Sequence, residues 1–371
     1  MASTQGDVLV ALPQAACAST PVSAAKQEKD LFQALAGVKQ EAPSATLTQR
    51  KHWTPATVNE ICSAGPQDVA MRVDAAAWKD GVLLLHDLGM TPPWEAIRSL
   101  FDYLSCHPDV AAELNSLYPM CNILKDAALD ASRADADVID QKVAFDLNAQ
   151  RLAALLRAPH LVEKLGAPLQ SVLCFFQEIE QKVVPKLMEV TSLVSGHDLA
   201  ACHNQRNFNF RVVDYPEHVP KGSSKERRCG AHRDFGTFTI VFPDGEGLQV
   251  EREGGYYNLP GDTPQLFFGY CGAILSNDRL AAAKHRVIDT SPQKSGLVAR
   301  RNSLVFFVAP DEDTPLRPVV KAGEVARFRS GVTSSELKEA MKRKWKAREG
   351  TLGGVKTPQH QEPRQVILCV T

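Results

Sequence analysis

The 371-residue chain lacks an apolar run long enough to span a bilayer, which takes about 20 residues. It lacks charge of either sign in excess: 42 Lys and Arg stand against 43 Asp and Glu, for a net charge of −1. That balance removes the electrostatic case for nucleic acid or an anionic membrane as the main partner. Its nine cysteines are odd in number, scattered and free of any Cys-x-x-Cys pair. This argues against a disulfide framework or a zinc knuckle and for reduced thiols in a reducing, cytoplasmic compartment. The beginning of the chain has no basic stretch ahead of an apolar one and no arginine before Arg50, so it reads neither as a secretory signal nor as a transit peptide. No internal repeat is present. What remains is an ordinary globular composition, 44% apolar and 23% charged.

Along the chain, residues 1–50 read as a weakly structured leader with one short helix around Lys29–Ala36. Residues 55–200 read as mostly helical. Helices are expected after the Pro92-Pro93 punctuation up to Leu104, over Asn148–Leu165, and over Ala167–Leu193. In the last of these, Val172, Phe175, Phe176, Ile179 and Val183 form a stripe for core packing and Pro185 predicts a kink. Residues 205–325 break into short β-rich runs divided by Gly, Pro and Asn/Asp turns, such as Asp244-Gly245 and Pro260-Gly261-Asp262, the pattern of a sandwich or barrel. Residues 333–371 read as a helix opened by the capping box Thr333-Ser-Ser-Glu336, followed by a loose tail. Leu337, Met341 and Trp345 would pack that helix and its many Lys and Arg residues would be solvated.

The chemistry concentrates in one constellation. His232-x-Asp234 places an imidazole and a carboxylate two apart, so that on a strand both reach one face, and a strand lying opposite would bring His285. Two imidazoles and one carboxylate suit a facial site for non-haem Fe(II), with three positions left for ligands that exchange. Arg301 and Ser303 are again two apart, ahead of the strand-forming Leu304–Val308. A guanidinium and a hydroxyl on one face can grip a carboxylate. The Arg-x-Ser spacing selects Arg301 over its neighbour Arg300. Arg211, Arg228 and Arg279 are further candidates for holding an acidic substrate, each weighed against a structural role. Cys229 and Cys271 fall close to the motif in sequence. The other eight histidines are read as structural, and Phe210 and Phe235 as core rather than pocket residues.

With these residues in order, the chain resembles the isopenicillin N synthase-like group of Fe(II)/2-oxoglutarate-dependent oxygenases over about residues 205–310. Gly247-Leu-Gln-Val250, Tyr256-Tyr-Asn-Leu-Pro260, Leu275-Ser-Asn-Asp-Arg279 with His285-Arg-Val287, and Phe210–Tyr215-Pro216 resemble flanking pieces of that group. Asp74–Leu85, with Trp78 and Gly81, resembles its N-terminal passage from a helix into a strand. Val213 stands where the group has Asn, and an insertion falls around Ser291–Gly296. The resemblance implies a mixed α/β (α+β) fold with a double-stranded β-helix, or jelly-roll, core and supporting helices. It implies Fe(II) on His232, Asp234 and His285, which are also the catalytic set. It further implies 2-oxoglutarate as cosubstrate on Arg301, Ser303 and Tyr215, dioxygen as co-reactant, and ascorbate as an optional addition in vitro. The implied activity is oxidation of an unactivated C–H of a small molecule, by hydroxylation, desaturation or ring closure, by a monomer serving specialised metabolism. An oxidase that does not consume 2-oxoglutarate and an inactive small-molecule sensor are the alternatives on the same scaffold.

Overall fold

The computed structural model describes residues 53–117, 123–126, 142–219, 227–329 and 331–352, all of which fall in one unit. The expected leader with its helix, the tail beyond 352, His52 and His360 lie outside the described residues. The first elements are β1 (Thr57–Val58), α1 (Pro66–Arg72), α2 (Ala75–Asp80) and β2 (Val82–Leu85). Asp74 caps α2 by accepting from the Ala76 amide at 2.9 Å, and Gly81 ends it in the left-handed conformation. This is the expected helix-to-strand passage, and the four residues of β2 are all buried.

The helical region follows: α3 (Trp94–Cys106), α4 (Pro108–Ser116), β3 (Leu124–Asp126), β4 (Val143–Asn148), α5 (Ala149–Leu156) and α6 (Pro159–Glu178). A π-turn over Ile179–Val183 then leads into α7 (Val184–Ser195). The helix expected over Asn148–Leu165 is divided. Asn148 caps α5 as its side chain accepts from the Arg151 amide at 2.8 Å, and a new helix opens at Pro159. That second helix has its own break at Gly166, where φ is 53°. Pro185 falls in the first turn of α7, directly after the π-turn, where a helix requires no amide hydrogen from it.

The strands β5 (Phe208–Tyr215), β6 (Arg227–His232), β7 (Phe238–Asp244), β8 (Leu248–Arg252), β9 (Gly255–Asn258) and β10 (Gln265–Phe268) come next. The short helix α8 (Tyr270–Leu275) precedes β11 (His285–Ile288) and β12 (Arg301–Val308), and α9 (Ser334–Leu352) closes the described chain. Among the described residues these strands form an eight-stranded sheet in the order β1-β2-β10-β7-β12-β5-β4-β3 and a four-stranded sheet in the order β6-β11-β8-β9. The large sheet takes strands from both sides of residue 205, so the helical region and the β region share it.

Strand alternation sorts the large sheet's two faces. Its outer face lies on the helices: the Phe175 ring stands edge-on to Phe242 at 5.2 Å, and Phe176 packs on Phe210 at 5.0 Å and Phe306 at 5.3 Å. The predicted stripe is thus the platform under the sheet, and Phe210 fills that layer. Truncating Phe175 to alanine is expected to cost about 3–5 kcal/mol, read as a lowered denaturation midpoint with unchanged slope. The inner face meets the small sheet. Val82, Ala144, Val213, Tyr215, Val241 and Phe267 form one apolar cluster with Leu248, Val250 and Val287. The capping box forms in full: the Glu336 amide donates to Thr333 Oγ1 at 3.3 Å and the Thr333 amide to Glu336 Oε2 at 2.8 Å. Leu337, Ala340 and Met341 on α9 are buried; the side chain of Trp345 is outside the described residues.

Candidate metal centre

In the small sheet, β11 runs antiparallel to β6 with His285 directly across from His232. The two imidazoles therefore stand side by side, ring centroids 4.4 Å apart. His285 comes from the neighbouring strand of the same sheet, whereas the sequence reading expected a strand lying opposite. Asp234 is not on the strand with His232 either. β6 ends at His232, because the chain must cross to the large sheet and start β7 by Phe238. The crossing is pinned where the Tyr270 amide donates to the Asp234 carbonyl at 2.9 Å. From there Asp234 Oδ1 lies 3.6 Å from His232 Nε2 and 3.8 Å from His285 Nε2. The three ligand atoms all fall within 4.8 Å of one another.

Hydrogen bonds decide which atom each residue presents. His232 Nδ1 donates to the Gly230 carbonyl at 2.8 Å and His285 Nδ1 to the Ala283 carbonyl at 3.2 Å, leaving both Nε2 lone pairs for the centre. Thr239 Oγ1 donates to Asp234 Oδ2 at 2.6 Å, leaving Oδ1. The Phe267 ring backs His285 at 4.6 Å. Two neutral nitrogens and one carboxylate oxygen on one side fit a ferrous ion that keeps exchangeable positions. Thr239→Val removes the bond that orients the carboxylate and leaves Asp234 Oδ2 without that donor; it is expected to weaken metal binding about 10- to 100-fold, measured by competition with a chelator of known affinity, and to cost about 1–3 kcal/mol of stability.

Charge around the two rings has a consequence for pH. Burial lowers the pKa of His232, but Cys229, Asp234 and the Gly230 carbonyl together outweigh it and hold the ring at about 9. Burial, followed by the charge on His232, pushes His285 to about 4. Near neutral pH the metal-free pair thus carries one proton, on His232, which an incoming cation must displace. Affinity for a divalent metal is expected to rise about tenfold per pH unit between about pH 6 and 8. A calorimetric titration at several pH values showing a flat profile would contradict that protonation state.

On the large sheet, Arg301 and Ser303 share the inner face and are 5% and 3% exposed. Arg301 Nη2 donates to Ser303 Oγ at 3.1 Å, while Nε and Nη1 are buried without a hydrogen-bond partner. Tyr215 is the Cα partner of Arg301, and its ring lies 5.2 Å from the guanidinium carbon. Burial lowers the pKa of Arg301, which Tyr215 partly offsets. A buried cation with open donors calls for an anion. Arg300 cannot supply this clamp, because it is committed to Asp214 at 2.8 Å and Asp102 at 2.6 Å. The insertion at Ser291–Gly296 is an exposed surface turn that leaves the β12 register intact.

The other candidates separate cleanly. Arg228 is spent on Asp289 at 2.6 Å and on the Tyr215 and Ala299 carbonyls. Arg279 is spent on Glu324 at 2.7 Å and on main-chain carbonyls. Arg211 reaches the interior and pairs with Asp146 at 2.6 and 2.9 Å. Cys229 Sγ is 4.0 Å from His232 Nδ1 and accepts from Lys142 Nζ at 3.2 Å. Cys271 is buried in α8, where burial pushes its thiol up. His203 is buried between the Leu199 carbonyl and Thr237, and His218 pairs with Asp289, both structural. Sequence reading missed Thr239, Asp146 and Lys142. Only Thr239 left a signal, as a polar residue inside the apolar run Phe238–Phe242.

Comparison with known proteins agrees with this geometry. Residues 201–310 match the 2OG-Fe(II) oxygenase superfamily. Proline hydroxylase buaE of Petromyces alliaceus is 32% identical over 123 residues, 30% of this chain and 39% of that protein. The 2-oxoglutarate-Fe(II) type oxidoreductase ppzD of Metarhizium rileyi is 28% identical over 155 residues, 37% of this chain and 43% of that protein. The matched segments thus span about two fifths of these relatives. In fold, the chain is similar to the dioxygenase for auxin oxidation in rice, with a TM-score of 0.58 at 18% identity over 80% of this chain and 96% of that one. These matches do not single out the isopenicillin N synthase-like group. The two packed sheets are the jelly-roll core of such enzymes, and residues 201–310 carry the match to the 2OG-Fe(II) oxygenase superfamily.

Proposed function

We propose that the chain is an Fe(II)- and 2-oxoglutarate-dependent dioxygenase that oxidises an unactivated C–H of a small molecule. The observation that carries this reading is the buried Arg301 guanidinium, two of whose nitrogens have no partner, facing the interior onto which His232, Asp234 and His285 converge. When bound, iron with 2-oxoglutarate and dioxygen supplies oxidative decarboxylation to succinate and carbon dioxide and the oxidising power for the C–H step. His232, Asp234 and His285 hold the metal on one side and leave the other open. Arg301 and Ser303 take the far carboxylate of the cosubstrate, with Tyr215 beside them. The apolar cluster of Val213, Leu248, Val250 and Val287 keeps water from the space between.

In this reading 205–325 is the catalytic domain, 55–200 its supporting helical region and the helix from Ser334 to Leu352 a packing element. The substrate in this reading is a small molecule of specialised metabolism; one relative is named for a small molecule, proline. The enzyme acts as a cytoplasmic monomer without nucleic-acid or membrane partners, in line with its net charge of −1. No helix among the described residues is long and apolar enough to cross a membrane. The test is a screen of small molecules with Fe(II), 2-oxoglutarate and air, scored by succinate. Succinate that depends on iron and oxygen, and rises with one class of compound, supports the reading. Oxidised product without succinate would point to an oxidase, and no turnover with iron bound would point to a sensor.

A further inference from the structure

Arg211 faces the interior and is used by neither the metal nor the cosubstrate. On β5, Phe208, Phe210 and Val212 face the helices, and Asn209, Arg211, Val213 and Tyr215 face inward. Val213 and Tyr215 are buried, but Asn209 and Arg211 are partly exposed. Their Cα partners on β12, Phe307 and Val305, are partly exposed as well. The space between the sheets is therefore shut off from solvent at the Arg301 end and reached by it at the Phe307 end. That open end lies level with the metal ligands, since Thr239, which holds Asp234, is the β7 partner of Phe307.

Arg211 stands at this opening. Nε and Nη2 are bound to Asp146, and Nη1 has no hydrogen bond among the described residues. Its guanidinium carbon lies 5.5 Å from the centre of the Phe307 ring. Asp146 is almost wholly buried and is shared with Arg151, whose Nη1 is 3.5 Å away, so two guanidinium groups surround one carboxylate. Lys142, beside Cys229, adds a third cation between this wall and His232. Among the arginines weighed above, Arg228, Arg279, Arg300 and Arg301 already have their roles.

We infer that Arg211 is a specificity-determining residue, and that the substrate is a carboxylic acid whose carboxylate accepts from Arg211 Nη1 while its apolar part lies on Phe307. This rests on the proposed function, because the space is a substrate site only if the metal and 2-oxoglutarate occupy theirs. A guanidinium already fixed by Asp146 loses little side-chain freedom on gripping an anion, which favours recognition.

The test uses the full chain loaded with Co(II), which does not turn over, and saturated with 2-oxoglutarate so that Arg301 is filled. The probes are benzoate, phenylacetate and 3-phenylpropionate, each compared with its primary amide by ligand-observed NMR. At least one acid is expected to bind ten or more times tighter than its amide, and Arg211→Gln is expected to erase the difference. Arg211→Lys, which keeps the charge beside Asp146, is expected to keep part of the preference. Affinity for 2-oxoglutarate within threefold of wild type in each variant reports an intact barrel. Equal binding of acid and amide, binding of no acid, or a preference that survives Arg211→Gln would overturn the inference alone. Failure of the wild-type protein to bind 2-oxoglutarate would overturn the proposed function with it.

Discussion

Asp234→Ala is expected to abolish measurable Fe(II) binding and to reduce turnover more than about 100-fold. That factor is a lower bound, since losing even a group that merely orients a metal ligand costs about 10- to 100-fold. Asp234 is the one carboxylate of the triad, it is 6% exposed, and it supplies the negative charge against a divalent cation. The two imidazoles would remain held by Gly230 and Ala283, so the loss would be of charge and of one donor rather than of the neighbouring geometry. Thr239 would lose its acceptor, a cost of about 1–3 kcal/mol that a thermal melt should detect. Metal content after anaerobic loading checks the main effect. A variant that still holds one iron per chain at wild-type affinity would remove Asp234 from the centre.

Arg301→Ala is expected to raise the KM for 2-oxoglutarate about 30- to 5,000-fold, from the 2–5 kcal/mol lost when one partner of a buried charged pair is truncated. The sign of the stability change separates this residue from a structural arginine. In the absence of ligand, Arg301 Nε and Nη1 are buried without acceptors, and burial already lowers its pKa. Arg301→Met should therefore leave the ligand-free fold as stable as wild type or more so. Arg228→Met should instead be strongly destabilising, because Asp289 and two carbonyls would lose their donor. At about 100 times its Kd, 2-oxoglutarate should stabilise wild type by about 2.7 kcal/mol and Arg301→Met much less. Melting curves with and without 2-oxoglutarate measure all four terms. An unchanged KM in Arg301→Ala would place the clamp elsewhere.

The parts legible in the sequence were those governed by spacing. Arg301-x-Ser303 could be read because alternation on an extended chain is local, and the stripe through Phe175 and Phe176 because helical periodicity is local too; His232-x-Asp234 was legible from its residue types, but the shared strand expected for it ends at His232. The capping box at Thr333–Glu336 is likewise contained in four residues. Strand pairing is not local. Nothing near His285 announces that it lies across from His232, so the expected opposite strand became an adjacent one. For the same reason the short β2 and β4, set among helices, did not announce that they join the large sheet. The fate of each arginine depends on acids far along the chain: Arg211 on Asp146, Arg228 on Asp289, Arg300 on Asp102 and Asp214. Only the folded arrangement separates the paired ones from Arg301.

The most direct measurement is an anaerobic calorimetric titration of the full chain with Fe(II) in the presence of 2-oxoglutarate, repeated on His285→Ala. Wild type is expected to take up one Fe(II) per chain, with release of about one proton near neutral pH, and the variant to show no saturable binding. An iron stoichiometry of zero, or iron held equally well without His285, would contradict this expectation.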